Sequence, residues 1–259
     1  MFRGMIRVSE LNRKMMAEAL SISTQCDFST YPNPKVGAVI FNDEGDVISV
    51  GHTSCYGGDH AEIEALRKIN FKAEGLNMAV TLEPCNHFGK TPPCSHAILK
   101  AGIKKVIIAK KEENGLACNG ACYLQEHGVK VEFLEEFSEK VEKINRFFFK
   151  NVRTSLPWVT VKVALSNDGF LTEKIGTPTL ISNRISQKHA HILRSQHMAI
   201  GVGAATVNAD NPKLTVRLID GPDPIPVIFS RNLSLNEKAD VIQRNPIVIT
   251  SSGNDDKIK

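Results

Sequence analysis

His60-Ala61-Glu62, and then Thr81-Leu82-Glu83-Pro84-Cys85-Asn86-His87-Phe88-Gly89-Lys90-Thr91-Pro92-Pro93-Cys94, are the stretches around which the first half of the chain is organised. One imidazole and two thiolates, from His60, Cys85 and Cys94, make a three-ligand zinc site. Its fourth position is left for water, which distinguishes a catalytic zinc from a closed structural one. Zinc lowers the pKa of such a water from 15.7 towards roughly 7. Glu62 stands two residues beyond the histidine, in the first turn of a helix expected from about His60 to Lys68 with Asp59 as its N-cap. A carboxylate there can take the proton of the water and return it to a ring nitrogen and a departing amine.

A lone His-x-Glu is common on surface helices, and a lone cysteine pair is usually buried and inert. The ordered combination, at a helix start and after a strand, is the pattern of zinc nucleobase deaminases, in which the glutamate is not a ligand. The common form of that pattern is Pro-Cys-x-x-Cys. Here Asn86 to Pro93 separate the cysteines. This insert is rich in turn formers, so it should loop outward between two fixed ends and overhang the metal pocket. Lys90 is then a point charge suited to phosphate, and His87 and Thr91 add donors.

Outward from these motifs, the first half alternates helices and strands. Asn12 to Ser23 has helical spacing, and Val36–Phe41 with Val47–Gly51 reads as a β-hairpin. Met78–Leu82, Lys105–Ala109 and Val129–Phe133 read as strands, Ser95–Ala101 as a helix ended by Gly102, and Glu139–Phe149 as another helix. The fold class expected is α/β, an α/β/α sandwich over residues 1–150. Asn151–Trp158 reads as a linker, and a second α/β domain is expected over 156–259. Its elements are a strand at Val159–Ala164, a helix at Ser182–Ser195, and strands at Ala199–Val202, Pro226–Phe229 and Pro246–Thr250 in a mostly parallel sheet. Gly201-Val202-Gly203 lacks a full dinucleotide fingerprint and reads as a tight strand-to-helix turn. His189, His191 and His197 read as solvated surface histidines, and Cys118 and Cys122 as bystanders.

The stretch from Thr81 to Cys94 resembles the deaminase signature of the bifunctional riboflavin-biosynthesis family, a pyrimidine deaminase fused to a reductase. So do Pro32-Asn33-Pro34-Lys35-Val36-Gly37 and Gly51-His52 ahead of Asp59-His60-Ala61-Glu62. The resemblance implies a cytidine-deaminase-like domain followed by a dihydrofolate-reductase-like domain. It implies hydrolytic deamination of 2,5-diamino-6-ribosylamino-4(3H)-pyrimidinone 5′-phosphate, with Asn33 and His52 lining the pocket and His87 and Lys90 at the ribosyl phosphate. Asn33, between two prolines, is a rigidly presented amide in any case. Val159–Gly169 and Gly203–Arg217 resemble the reductase signatures, which implies NADPH as cofactor. By position, Ala164, Thr206, Asp210 and Ser230 fall on the cofactor side, and Arg194, Leu214 and Arg217 on the substrate side. An arginine pair suits a phosphate. Two departures stand out. Lys110-Lys111-Glu112-Glu113-Asn114-Gly115 replaces an Asp-Pro-Asn-Pro-like segment, and the chain ends at Lys259, short of the family's diphosphate-gripping loop. The expectation from the short C-terminus is that reductase activity is absent or impaired.

Net charge is +4 over 259 residues, which suits a small anionic substrate and gives no dense basic patch for nucleic acid. No run reaches the roughly 18 apolar residues of a membrane span, and no secretory signal is evident, so a cytoplasmic protein with reduced cysteines is expected. A second protomer completing the sheet of the second domain is conceivable from sequence. Two other readings remain open: a cytidine or tRNA-type deaminase, which would want short cysteine spacing or an aromatic basic channel, and a non-catalytic zinc scaffold, for which Glu62 would be dispensable.

Overall fold

The computed structural model describes residues 2–88, 92–115, 117–174 and 179–251, and these divide into two compact units, residues 1–159 and 160–259. In the first unit, α1 (Phe2–Ser23) leads into β1 (Gly37–Phe41), β2 (Val47–His52), α2 (Ala61–Lys68), β3 (Asn77–Val80), α3 (Cys94–Lys100), β4 (Lys105–Ile108), α4 (Gly120–Glu126), β5 (Lys130–Phe133), α5 (Ser138–Ile144) and α6 (Arg146–Thr154). The sheet order is β2-β1-β3-β4-β5, antiparallel across β2-β1-β3 and parallel across β3-β4-β5. Every residue of β1 and β3 is buried, which is what a sheet covered on both faces requires. Met15, Met16 and Ala19 of α1 are fully buried in its core. Each such methionine contributes roughly 1.5–3 kcal/mol.

Register decides where the site forms. Ala38 pairs with Val80 and Gly37 with His52. The segment before β1, the segment after β2 and the segment after β3 therefore leave the sheet at one edge, and the turn after β4 joins them because β4 runs parallel to β3. α2 packs tightly over this edge. A Cβ on Gly51 would lie 2.2 Å from the carbonyl oxygen of Ala61, so only glycine lets the helix that carries Glu62 approach β2 so closely.

Several expectations change. The N-cap of α2 is His60 and not Asp59. His60 has extended backbone angles, and the Asp59 carboxylate is held by Arg67 instead. The helix expected over Glu139–Phe149 is two helices, because Asn145 interrupts it. The buried Asn145 side chain accepts from Lys35 N (2.7 Å) and donates to the carbonyls of Lys35 (2.9 Å) and Val141 (3.3 Å). The expected linker is helical as far as Thr154, and α4 had no periodic apolar signal long enough to announce it.

In the second unit, α7 (Arg184–Ser195), β6 (Ala199–Gly203), α8 (Ala204–Asp210), β7 (Ile225–Phe229) and β8 (Ile247–Ile249) form a three-stranded parallel sheet in the order β6-β7-β8. Val207, Leu214, Ile228, Ala239 and Val241 are its core. β6 runs directly into α8: Gly201–Gly203, expected as a tight turn, are paired strand residues, and the junction falls at Gly203, the N-cap of α8. Val159–Ala164 is not a strand. No strand among the described residues pairs with it, and Val159, Val161 and Val163 are exposed. His191 is buried, not solvated, and its Nδ1 accepts from Arg217 N at 3.1 Å. No described helix is long and apolar enough to cross a membrane.

Asn145→Ala removes both bonds to the Lys35 backbone from a buried position. It should cost about 2 kcal/mol, read as a lower urea midpoint for the unfolding of the first unit, and an unchanged midpoint would show that the interruption is not held by this amide.

Candidate functional site

His60 stands immediately before α2, Cys85 five residues after β3, and Cys94 opens α3. His60 Nδ1 lies 3.6 Å from Cys85 Sγ and 3.3 Å from Cys94 Sγ, and all three candidate ligand atoms lie within 4.8 Å of one another. Nitrogen at about 2.0–2.1 Å and sulfur at about 2.3 Å from one tetrahedral ion would be separated by about 3.6 Å. The donor set and its spacing therefore fit zinc. The backbone N–H of Cys94 also donates to Cys85 Sγ at 3.4 Å, and Ser95 Oγ donates to Asn86 Oδ1 at 2.7 Å, fixing the ends of the loop that joins the two cysteines.

The charges inside this cluster compensate one another. The thiol of Cys94 and the ring of His60 both stabilise the Cys85 thiolate, holding its pKa down to about 4. Cys85 in turn holds His60 up to about 9, and the neighbouring Cys85 together with burial pushes Cys94 well above the usual thiol range. Glu62 is buried, and loss of solvent raises its carboxyl to about 7. A carboxyl poised near neutral pH can both take and give a proton.

His60, Glu62 and Cys85 line a cavity of about 380 Å³. Asn33, His87, Glu112 and Asn114 line it as well, with Phe148 and Asn151 of α6 on its wall. Asn33 is held by its backbone N–H to Thr30 O at 2.9 Å. His87 Nδ1 is buried without a hydrogen-bond partner. Lys90 and Thr91 lie outside the described residues. His52 does not line the cavity, whereas its neighbour Thr53 does. Successive residues of a strand face opposite ways, and His52 turns its Nδ1 to Thr53 O at 3.1 Å. Thr53 Oγ1 accepts from Val36 N (3.0 Å) and donates to Pro34 O (2.9 Å), bracing the segment that presents Asn33.

Glu112 and Asn114 come from the divergent segment after β4, whose side chains carried no metal or motif signal. The clue available was position, at the carboxyl end of a parallel strand. Burial raises the Glu112 carboxyl. Next to it, Lys110 pairs with Glu113 (3.0 Å) and Glu142 (3.3 Å), and Arg153 of α6 pairs with the same two carboxylates at 2.7 and 2.6 Å. Arg153 holds Glu113 down to about 2. This network ties the segment to α5 and α6.

In the second unit, Arg194 is half-buried with its Nε unpartnered, and burial followed by the charge of Arg217 lowers its pKa. Ser230 is buried with its Oγ likewise unpartnered. Thr206 and Asp210 are exposed on α8, Ala164 is half-buried, Arg217 is exposed, and Leu214 packs in the core with a left-handed backbone (φ 56°).

Residues 9–110 match the cytidine and deoxycytidylate deaminase zinc-binding region, and residues 157–259 match the RibD C-terminal domain. The riboflavin biosynthesis protein RibD of Bacillus amyloliquefaciens is 38% identical over 93% of this chain and 66% of its own length. That of Aquifex aeolicus is 36% identical over 96% of this chain and 70% of its own length. The solved structure of the diaminohydroxyphosphoribosylaminopyrimidine deaminase/5-amino-6-(5-phosphoribosylamino)uracil reductase of Thermotoga maritima superposes with a TM-score of 0.84 at 36% identity, covering 95% of this chain and 71% of that one. RibD of Acinetobacter baumannii gives 0.85 at 33%, covering 93% and 69%. The chain thus spans about two thirds of the length of these relatives. A deaminase zinc region joined to a RibD C-terminal domain, with a gathered His/Cys/Cys set in the first, makes this chain a member of the RibD family of riboflavin biosynthesis proteins.

Proposed function

We propose that the first unit is a zinc-dependent aminohydrolase acting in the cytoplasm on 2,5-diamino-6-ribosylamino-4(3H)-pyrimidinone 5′-phosphate, in which water replaces one exocyclic amino group and ammonia leaves. The observation that carries this reading is the meeting of His60, Cys85 and Cys94 at ligand spacing with buried Glu62 in the same cavity. His60 Nδ1 and the two sulfurs would hold zinc, which when bound acidifies water. Glu62 takes the water proton on its carboxylate and passes protons to the ring nitrogen and the departing amine. The Asn33 amide and the Glu112 carboxylate read donors and acceptors on the ring edge, with Asn114 beside them. The unpartnered His87 Nδ1 and Lys90 serve the ribosyl phosphate.

For the second unit the reading is NADPH-dependent reduction of the ribosyl group of the deaminated product. Ser230, Thr206, Asp210 and Ala164 lie toward the cofactor, and Arg194 and Arg217 toward the substrate phosphate, with Leu214 shaping the backbone beneath them. The unpartnered Ser230 Oγ and Arg194 Nε support polar ligands there. A hydride from NADPH supplies the reducing pair.

Glu62→Gln should keep one zinc per chain and lower ammonia release by about 10²–10⁴-fold. NADPH oxidation, scored separately with the already deaminated compound, decides whether the second unit reduces it. Unchanged ammonia release would place the proton shuttle elsewhere. In the metal-free site His60 and Cys94 hold protons at neutral pH and Cys85 does not. Zinc must displace two protons, so its affinity should rise about a hundredfold per pH unit between the Cys85 value near 4 and the His60 value near 9. Chelator competition at a series of pH values measures this, and a flat profile would remove these residues as the ligands.

A further inference from the structure

One buried carboxylate on the wall of the cavity has no role in the chemistry just described. Glu83 lies two residues before Cys85 and is 8% exposed. Both of its oxygens are occupied by backbone donors: Glu112 N to Oε2 at 3.1 Å and Ala121 N to Oε1 at 3.0 Å. Its own N–H donates to Lys110 O at 2.9 Å, and Asn86 N donates to Ala117 O at 3.2 Å. Gly120 lies so close that a Cβ there would stand 1.8 Å from Pro84 O. The segment that carries Glu112 and Asn114 is thus fastened at both ends to the segment that carries Cys85. A buried carboxylate is tolerated only when hydrogen-bonded, and charged acceptors make the stronger bonds, so this clamp is stiff.

We propose that Glu83 is a positioning residue for substrate recognition: it stands on the cavity wall with both of its oxygens taken by backbone donors, so it holds Glu112 and Asn114 at a set distance from the metal cluster and governs substrate affinity through them. Loosening of the Glu83 clamp would move Glu112 and Asn114 first, while Ala117 stays packed against Cys85 and Cys94 and bonded to Asn86 N, so zinc content reports whether the cluster moves with the segment. The proposal rests on the deaminase reading above.

Glutamine at this position offers one oxygen and one NH₂ to two N–H donors, so one backbone donor is left without an acceptor. The zinc-loaded full chain is assayed for zinc content, for kcat and KM of ammonia release, and for backbone hydrogen exchange across 110–121. Glu83→Gln should retain one zinc, keep kcat within about threefold, raise KM about tenfold or more, and speed exchange in 112–121. In a Glu112→Gln background the same change should add far less to KM than it does alone, because part of its effect passes through Glu112. Gly120→Ala presses the same segment off Pro84, next to Cys85, and should reproduce the rise in KM, its zinc content being no criterion. Loss of zinc in Glu83→Gln, an unchanged KM in both variants, full additivity with Glu112→Gln, or unaltered exchange would each overturn the proposal. A wild-type chain that releases no ammonia would sink the deaminase reading alone, and the exchange rates would still decide whether Glu83 holds the segment.

Discussion

His60 Nδ1 stands within 3.3–3.6 Å of two sulfurs, and the rest of the first unit is arranged so that these three atoms meet. Such a cluster is costly without its ion, since thiolate and imidazole are drawn together away from solvent. The protein offsets that cost by sharing protons: Cys85 is ionised because Cys94 donates to it and His60 carries a charge beside it. The same withdrawal from water that strains the ligands lifts Glu62 towards neutrality. Metal affinity and proton transfer would be two consequences of one buried cluster.

What brings the atoms together is the register of the sheet. The antiparallel β1 delivers Asn33, the end of β2 delivers Thr53 and then His60, and β3 delivers Glu83 and Cys85, all at one edge. Elsewhere on the cavity wall, α6 is held by Asn145 reaching to Lys35 and by the Lys110–Glu113–Glu142–Arg153 network. Exposed ion pairs contribute little stability singly. Here four charges share one geometry and serve to place a divergent segment whose Glu112 and Asn114 face the cavity.

The second unit is organised differently. Its parallel sheet is covered on one face by α8 and a small core, while Ile225, Phe229, Ile247 and Ile249 are exposed on the other. Its polar interest lies in Arg194 and Ser230, each with a buried atom lacking a partner, and in His191, whose ring accepts from the Arg217 backbone.

The gathering of His60, Cys85 and Cys94, the fold class and the strands of both sheets were legible in the sequence, because ligand chemistry needs particular side chains and buried strands need apolar runs. That Thr53 lines the cavity beside the expected His52 was not, because the face on which a side chain emerges at a strand end depends on register. Nor was the break at Asn145, which depends on a partner 110 residues away, or the fate of Val159–Ala164, where an apolar run becomes a strand only if another strand pairs with it. The sequence by itself determined which atoms could bind metal and move protons. Only the tertiary structure decided which neighbours surround them, since the two backbone N–H groups that meet Glu83 and the place of Glu112 and Asn114 on the cavity wall follow from contacts and register that side-chain identity does not encode.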